Sequence, residues 1–271
     1  MPLTMPGKRT KRVLVIAYVF PPAGGAGVQR VTKFVRYLPE FGWDCSVLTV
    51  ANPSVPVLDE QLLQEIPEST VIRRAATFEP GYAMKRSVSA CSESDAASFS
   101  PRRFVKRIIR TAGNAVLQPD SQLLWYPRAV REGRRLLDDL HHDAIFVTAP
   151  PFSPFLIGAK LSRQTGLPLI VDYRDEWGIS NRYQENRQKS SLSHRIQSRM
   201  QRGVLRQARA VVATTQGSMR TLKDHIHAAG SHATASCIYN GYDESDLLGT
   251  GTPPRRCLLY TSDAADEVSC G

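Results

Sequence analysis

One stretch near the N-terminus, Val13-Leu-Val-Ile-Ala-Tyr-Val-Phe-Pro-Pro-Ala-Gly-Gly-Ala-Gly-Val-Gln-Arg30, narrows the folds open to this chain more than any other. Val13 to Tyr18 is a continuous apolar run, the signature of a strand buried on both faces, as in a parallel sheet covered by helices. Pro21 and Pro22 stop it, because proline cannot donate to a sheet ladder. Gly24, Gly25 and Gly27 then leave the backbone free to turn sharply and to approach a ligand closely. From Val28 the spacing turns helical: Val28, Val31, Val35 and Leu38 share a face, with Arg30, Lys33 and Arg36 elsewhere. A strand, a glycine-rich turn and a helix start aim amide donors and a positive dipole end at one spot, which suits an anion. The same pattern also builds a tight βα turn that holds no ligand.

The remainder alternates in the same way. Cys45 to Val50 reads as a second strand, Asp59 to Ile66 as a short helix, and Val71 to Arg73 as a third strand. Ala75 to Ser100 is polar and aperiodic, a loop. Arg102 to Leu117 has the pattern of a basic amphipathic helix whose apolar side is Phe104, Val105, Ile108 and Ile109. Pro127 suits the first turn of a helix from Tyr126 to Leu140 that turns Ala129, Gly133, Leu136, Leu137 and Leu140 inward. Strand Ala144 to Thr148 is broken by Pro150 and Pro151, and Ser153 opens a helix to Gln164. Strand Leu169 to Asp172 ends in the polar cluster Asp172-Tyr-Arg-Asp-Glu-Trp177. A helix to Ala208, strand Ala210 to Thr214, helix Gln216 to His227 and strand Ala235 to Tyr239 complete the series. Repeated β-then-α order predicts an α/β fold, a doubly wound parallel sheet of Rossmann-like type. Function in such sheets collects beyond the carboxyl ends of the strands, where Gly24 to Gly27, Pro150 to Ser153, Asp172 to Trp177, Thr214 to Ser218 and Asn240-Gly241 all fall.

Composition narrows the function. With 271 residues, 42% of them hydrophobic, the chain suits one large α/β domain or two small ones. No run of apolar residues is long enough to span a bilayer. Basic residues precede the first strand, but prolines and glycines follow it without a small-residue cleavage site, unlike a signal peptide. Five cysteines are scattered without CxxC spacing, so neither a disulfide framework nor a zinc site is indicated, and a cytoplasmic location is the expectation. The net charge is +10 and unevenly placed. Pro101 to Arg110 holds five bases and no acid, and Arg187 to Arg209 holds seven bases and no acid. Within the latter, Arg195, Arg199, Arg202, Arg206 and Arg209 recur at helical steps beside an apolar ridge of Leu192, Ile196, Met200, Val204 and Ala208. Such a row is either a solvated face or a basic surface for anionic lipid head groups or a phosphorylated substrate. No nucleic-acid-binding signature accompanies it, and no nucleic-acid partner is expected.

A dinucleotide-dependent dehydrogenase fits the details poorly. Arg30 stands where a third glycine would let helix and strand pack closely. The second strand ends Val50-Ala-Asn52, without an acid for a ribose hydroxyl.

Four segments in order carry a resemblance: Phe20-Pro-Pro-Ala-Gly-Gly-Ala-Gly-Val-Gln-Arg30, Asp143-Ala-Ile-Phe-Val-Thr-Ala-Pro-Pro-Phe-Ser153, Gly166-Leu-Pro-Leu-Ile-Val-Asp-Tyr-Arg-Asp-Glu-Trp177 and Tyr239-Asn-Gly-Tyr-Asp243. Together they resemble the N-terminal half of a bacterial glycosyltransferase family 4 enzyme of the GT-B fold, over about Arg12 to Asp246. The resemblance implies retaining transfer of a sugar from a nucleotide-sugar donor to a glycan or lipid-linked acceptor, without a metal or other cofactor, between two Rossmann-like domains. It implies that Gly24, Gly25 and Gly27 approach the donor diphosphate or the acceptor. Pro151, Ser153, Asp172, Arg174, Trp177 and Asn240 would line the donor and acceptor side. Asp175, the catalytic candidate, stands where many family members carry a histidine; its carboxylate could hydrogen-bond a sugar hydroxyl but would not do the work of an imidazole. Arg174-Asp175 equally suits a structural ion pair. The arginine row would make peripheral contact with an anionic inner membrane face. A sugar-nucleotide epimerase or hydrolase of the same architecture, or a non-catalytic binding domain, are the alternative classes.

The expected organisation is a disordered N-terminus over 1–11, a Rossmann-like domain over 12–246 and a severed interdomain linker over 247–256. Cys257 to Glu267 resembles the translation of a transposon-end sequencing adapter. Residues 257–271 hold three acids and no Lys or Arg in a chain of net charge +10. The expectation is therefore an artefactual tail in place of the donor-binding domain.

Overall fold

A computed structural model describes residues 10–53, 55, 57–79, 117–177 and 191–244. Seven strands form one sheet: β1 (Lys11–Ile16), β2 (Trp43–Val50), β3 (Val71–Ala75), β4 (Ala144–Ala149), β5 (Leu169–Tyr173), β6 (Ala208–Ala213) and β7 (Thr234–Cys237). Their spatial order is β3-β2-β1-β4-β5-β6-β7 and every pairing is parallel. Among the described residues five helices flank it: α1 (Ala26–Tyr37), α2 (Tyr126–Asp139), α3 (Ser153–Thr165), α4 (Ser191–Gln207) and α5 (Gln216–Ala228). The doubly wound sheet expected from the alternation is present.

Strand order runs outward in one direction from β1 and in the other from β4. Right-handed crossovers then put α1 on one face and the later helices on the other. Alternate residues of β1 show the division. Val13 and Val15 pack with Val31 and Val35 of α1. Leu14 and Ile16 join the larger core of Leu136, Phe155, Ile157, Val204 and Leu222. β1 and β4 pair Val13 with Ala144 and Ile16 with Val147, so the order reverses between these two central strands.

Local chemistry sets the element ends. Val28, Val31 and Val35 are buried, as their spacing requires, but α1 stops at Tyr37 and Leu38 opens a 3-10 turn to Phe41. Pro39 lacks the amide that would continue the helix, and Gly42 closes the turn with φ 78°. The helix expected from Asp59 to Ile66 shrinks to a 3-10 turn, Gln61–Glu65. β6 begins two residues early, at Ala208. β7 ends at Cys237, leaving Ile238 and Tyr239 exposed. The apolar ridge expected on α4 is only partly buried. Val204 and Leu205 are covered, Ile196 and Met200 are half-buried, and Leu192 is exposed. Gln197 sits in the seam instead, accepting from Trp177 Nε1 at 3.2 Å.

The 3-10 turn Ser121–Trp125 has no sequence signal beyond the turn-forming Pro119-Asp120-Ser121. It buries Trp125 completely, with Nε1 donating to the Ala75 carbonyl at 3.0 Å and the ring edge-on to Tyr18. Most of the loop expected over 75–100, the helix from Arg102 to Leu117 apart from its last residue, residues 1–9, and the linker and tail from 247 lie outside the described residues. The chain divides into two units, Met1–Tyr239 and Asn240–Gly271. In the second, residues 240–244 form no extended helix or strand, and Asn240, Gly241 and Tyr242 are exposed.

Two glycines give opposite expectations. A Cβ at Gly158 of α3 would lie 2.3 Å from Val147 Cγ2, whereas one at Gly203 of α4 would meet nothing within 4 Å. Replacing a helical glycine by alanine gains about 0.5–1 kcal/mol, and overpacking costs about 1–3 kcal/mol. Val147 is β-branched and stiff, so it cannot swing clear cheaply. Urea unfolding is therefore expected to show Gly158→Ala less stable by about 1–2 kcal/mol and Gly203→Ala more stable by about 0.5–1 kcal/mol.

Candidate functional site

Because all strands are parallel, the loops after β1, β4, β5 and β6 emerge at one edge of the sheet, and the reversal between β1 and β4 opens a crevice there. Gly25, with φ 97°, turns the chain into α1. Gly25 at the N-cap offers no side chain to the free amides, and Gly25, Ala26 and Gly27 are exposed. The positive end of α1 is therefore exposed at Gly25, where an added Cβ would meet nothing within 4 Å, while the Arg174 guanidinium lies beside Gly27. Gly24 serves a different purpose. Its amide donates to the Val57 carbonyl at 2.9 Å, and a Cβ there would lie 3.0 Å from Val57 Cγ1. It lets the chain at residues 57–59 lie against the loop, where Ala23 bridges to Leu58.

Arg174 clasps the crevice. Its guanidinium donates through Nη1 to the Gly27 carbonyl and through Nη2 to the Pro150 carbonyl. Its amide donates to Ala149 O at 2.9 Å, and its carbonyl accepts from Thr214 Oγ1 at 3.0 Å. One residue after β5 thus joins the loops after β1, β4 and β6. Burial pushes the Arg174 pKa down, Asp172 and Asp175 raise it, and Arg30 lowers it further. A guanidinium stays charged through such shifts.

Beneath it lies a buried ion pair. Arg30 Nη2 donates to Asp172 Oδ1 at 2.8 Å and Arg30 Nε to Oδ2 at 3.1 Å, with Asp172 fully buried and the Arg30 side chain 8% exposed. Thr148 Oγ1 of β4 also donates to Asp172 Oδ2, at 2.8 Å. Arg30 Nη1 reaches the Tyr239 carbonyl at 3.2 Å. The arginine in place of the third glycine is thus a strut between α1 and β5. Arg30 and Arg174 stand behind the first turn of α1, with Asp172 of β5 and the exposed Asp175 as the carboxylates acting on them.

The other residues marked from sequence are placed as follows. Ser153 is fully buried at the start of α3, where Asp120 accepts from its amide at 3.1 Å, from its hydroxyl and from the Phe152 amide at 2.6 Å. Asp120 thereby caps α3 from another part of the chain. Trp177 is buried and stacked on Phe152, with centroids 4.9 Å apart. Pro151 is half-buried, and Ala149–Pro150 and Pro150–Pro151 are cis. Asp175 is exposed. Asn240 falls in the second unit. Arg195, Arg199, Arg202 and Arg206 are exposed on α4, while Arg209 is exposed on β6 rather than on the helix.

Sequence reasoning missed Asp120 and Glu79, which no motif marks. Glu79 is buried and accepts from Tyr18 Oη, from Ser121 Oγ at 2.9 Å and from Gln122 Nε2 at 3.0 Å. Among the described residues, no three His, Cys, Asp or Glu side chains are grouped to hold a metal.

The sequence profile of the glycosyl transferase 4-like domain matches residues 24–233. The chain belongs to that family. A comparison with curated proteins gives no match. The fold is shared with several solved structures. Sucrose-phosphate synthase from Thermosynechococcus elongatus has TM-score 0.52 and 12% identity, over 87% of this chain and 49% of its own. A UDP-glucosyltransferase from Polygonum tinctorium capable of glucosylating indoxyl has TM-score 0.52 and 12% identity, over 94% and 57%. Phytolacca americana UGT2, complexed with UDP-2fluoro-glucose and pterostilbene, has TM-score 0.50 and 11% identity, over 89% and 56%. The chain spans about half the length of these proteins, and the seven-stranded unit is a GT-B-type Rossmann-like domain.

In this glycosyl transferase 4-like domain, removing Asp172 alone would strand Arg30 in a dry site. Asp172→Ala is expected to cost about 3–5 kcal/mol in urea unfolding, and an apolar replacement of both partners to recover most of it. A double-variant loss equal to the sum of the Asp172 and Arg30 single losses would show that the pair is not coupled.

Proposed function

We propose that this chain is the acceptor-side half of a retaining glycosyltransferase. In this reading it moves a sugar from a nucleotide-sugar donor to a glycan or lipid-linked acceptor in polysaccharide biosynthesis, with no cofactor beyond the donor. The observation that carries the reading is the uncapped, exposed start of α1 backed by the Arg174 and Arg30 guanidinium groups. Family membership and the transferase folds it shares supply the reaction class.

Sugar transfer from a nucleotide donor sheds a diphosphate, and its transition state is helped by fixed donors where negative charge grows. Two helix starts lie at the crevice. The α3 start is taken by the Asp120 carboxylate, an internal anion, which leaves the α1 start for phosphate or acceptor oxygens. Asp172 acts by holding Arg30, and Ser153 and Trp177 act by holding the loop after β4, none of them touching sugar. Gly25, Gly27 and Asp175 are the exposed groups that would meet substrate, with Asp175 as a hydroxyl acceptor rather than a general base. Most of the donor contacts and the departing nucleotide's stabilisation would come from the second Rossmann-like domain.

Two outcomes follow. Titration of a nucleotide sugar against this chain alone is expected to give weak or no binding, and tight binding would contradict a donor site on the other domain. Joined to that domain, the protein should release nucleoside diphosphate only with acceptor present and keep the anomeric configuration, as read by NMR. Arg174→Ala should then lower kcat/KM by about 100-fold through a displaced glycine loop. Acceptor-independent release would favour the hydrolase or epimerase class, and an unchanged kcat/KM in folded Arg174→Ala would remove the anion edge from the mechanism.

A further inference from the structure

We infer that α4 is a docking element for an anionic bilayer surface, its row of arginines resting on lipid phosphate groups. At about 100° per residue, Arg195, Arg199, Arg202 and Arg206 fall within a stripe about 60° wide. All four are exposed. The stripe lies opposite the buried positions Ser193, Gln197 and Val204, so it points directly away from the core. Among the described residues no carboxylate pairs with any of the four. Arg202 Nε donates only to Ser198 O of its own helix, and Arg206 Nε to Ala229 O.

A solvated helix face of ordinary composition mixes both signs, as α2 does. There Arg134 pairs with Asp138 at 2.9 Å and Arg135 with Glu132 at 2.8 Å. Helices α3 and α4 pack side by side and carry Lys160, Arg163 and the four arginines without one Asp or Glu. Unscreened like charges on adjacent turns cost stability in water. They are repaid against a plane of phosphates, where guanidinium makes paired hydrogen bonds.

Leu192 decides between a membrane and a nucleic acid. It is 63% exposed on the first turn of α4, directly beside the stripe. A bilayer interface takes an apolar side chain below the head groups while arginines stay at phosphate depth. A polyphosphate backbone offers it no such place, and no Phe, Tyr or Trp lies on this helix to stack on a base. The inference rests on exposure and charge, not on the transferase reading, and would stand if that reading fell.

The test is flotation of the full chain with vesicles of phosphatidylcholine alone or mixed equally with phosphatidylglycerol. Binding is expected only to the mixed vesicles and to fall with added salt. Arg199→Gln/Arg202→Gln should weaken it about 25-fold, near fivefold for each arginine. The control Arg131→Gln/Arg134→Gln removes the same charge from α2 and should leave flotation close to that of the parent. Circular dichroism confirms folding of each variant. Flotation that ignores phosphatidylglycerol, that survives the α4 changes, or that falls equally with the control pair would overturn the inference. Stripe-dependent binding of an oligonucleotide without flotation would overturn it in favour of nucleic acid.

Discussion

The Arg30–Asp172 ion pair is the contact on which the carboxyl edge of this sheet depends. Its partners are 142 residues apart in sequence and belong to α1 and β5, with β1 and β4 between them. Two charges taken out of water cost several kcal/mol each unless every donor and lone pair is met. Here Asp172 accepts from Arg30 through both oxygens and from Thr148, and Arg30 also reaches Tyr239 O and lies over the Phe34 ring at 4.9 Å. Such a set is satisfied at one relative placement of α1, β4 and β5. Apolar packing alone would allow α1 to slide along the sheet, because Val28, Val31 and Val35 present similar surfaces at successive turns. The pair removes that freedom.

Arg174 becomes tolerable as a consequence. A second guanidinium near Arg30 would be repelled in a dry pocket, yet Asp172 and the exposed Asp175 both favour the charged form of Arg174. Arg174 can then spend its Nη donors on the carbonyls of Gly27 and Pro150. The loops that would otherwise be independent, after β1 and β4, are joined through a planar group with fixed geometry. A rigid rim with an exposed helix start is what charge stabilisation in a transition state demands, because donors that must reorganise contribute less.

Much of this was legible in the sequence. The parallel sheet follows from apolar runs broken by Gly and Pro, since Val13 to Tyr18 and Ala144 to Thr148 have no polar face to turn to water. Element ends moved by a residue or two where a single atom decided the matter, as at Pro39. What could not be read was partnership. Asp172, Ser153 and Trp177 stand in a polar or aromatic cluster at a strand end, which looks like a binding surface. In the fold their side chains face inward, each held by a residue far away in sequence: Arg30, Asp120 and Gln197. A lone aspartate such as Asp120 carries no periodicity and no motif, and its role exists only once α3 has brought its free amides within reach. The α4 stripe was legible as a row of charges, but its true opposite face was not. Gln197 replaced the expected apolar seam because Trp177 needed an acceptor.

The Trp177–Gln197 contact also fixes how α4 lies against the sheet. Trp177 follows β5 at the carboxyl edge of the sheet and holds the N-terminal half of α4 there. The far end of α4 is anchored near the opposite edge, where Ser231 Oγ donates to Leu205 O and Gln207 Nε2 to Ser162 Oγ. α4 therefore runs antiparallel to the strands, as a crossover helix in a parallel sheet must. Leu192 and Arg195 lie at the end nearest the crevice, and Arg206 lies at the end away from it. A helix of 17 residues is about 25 Å long. Because α1 packs on the other face of the sheet, an anionic surface laid along the stripe would meet α4 and not the α1 start, and the two share only the carboxyl edge at which α4 begins. One buried glutamine thus sets which end of the arginine row stands at the carboxyl edge and which at the opposite edge.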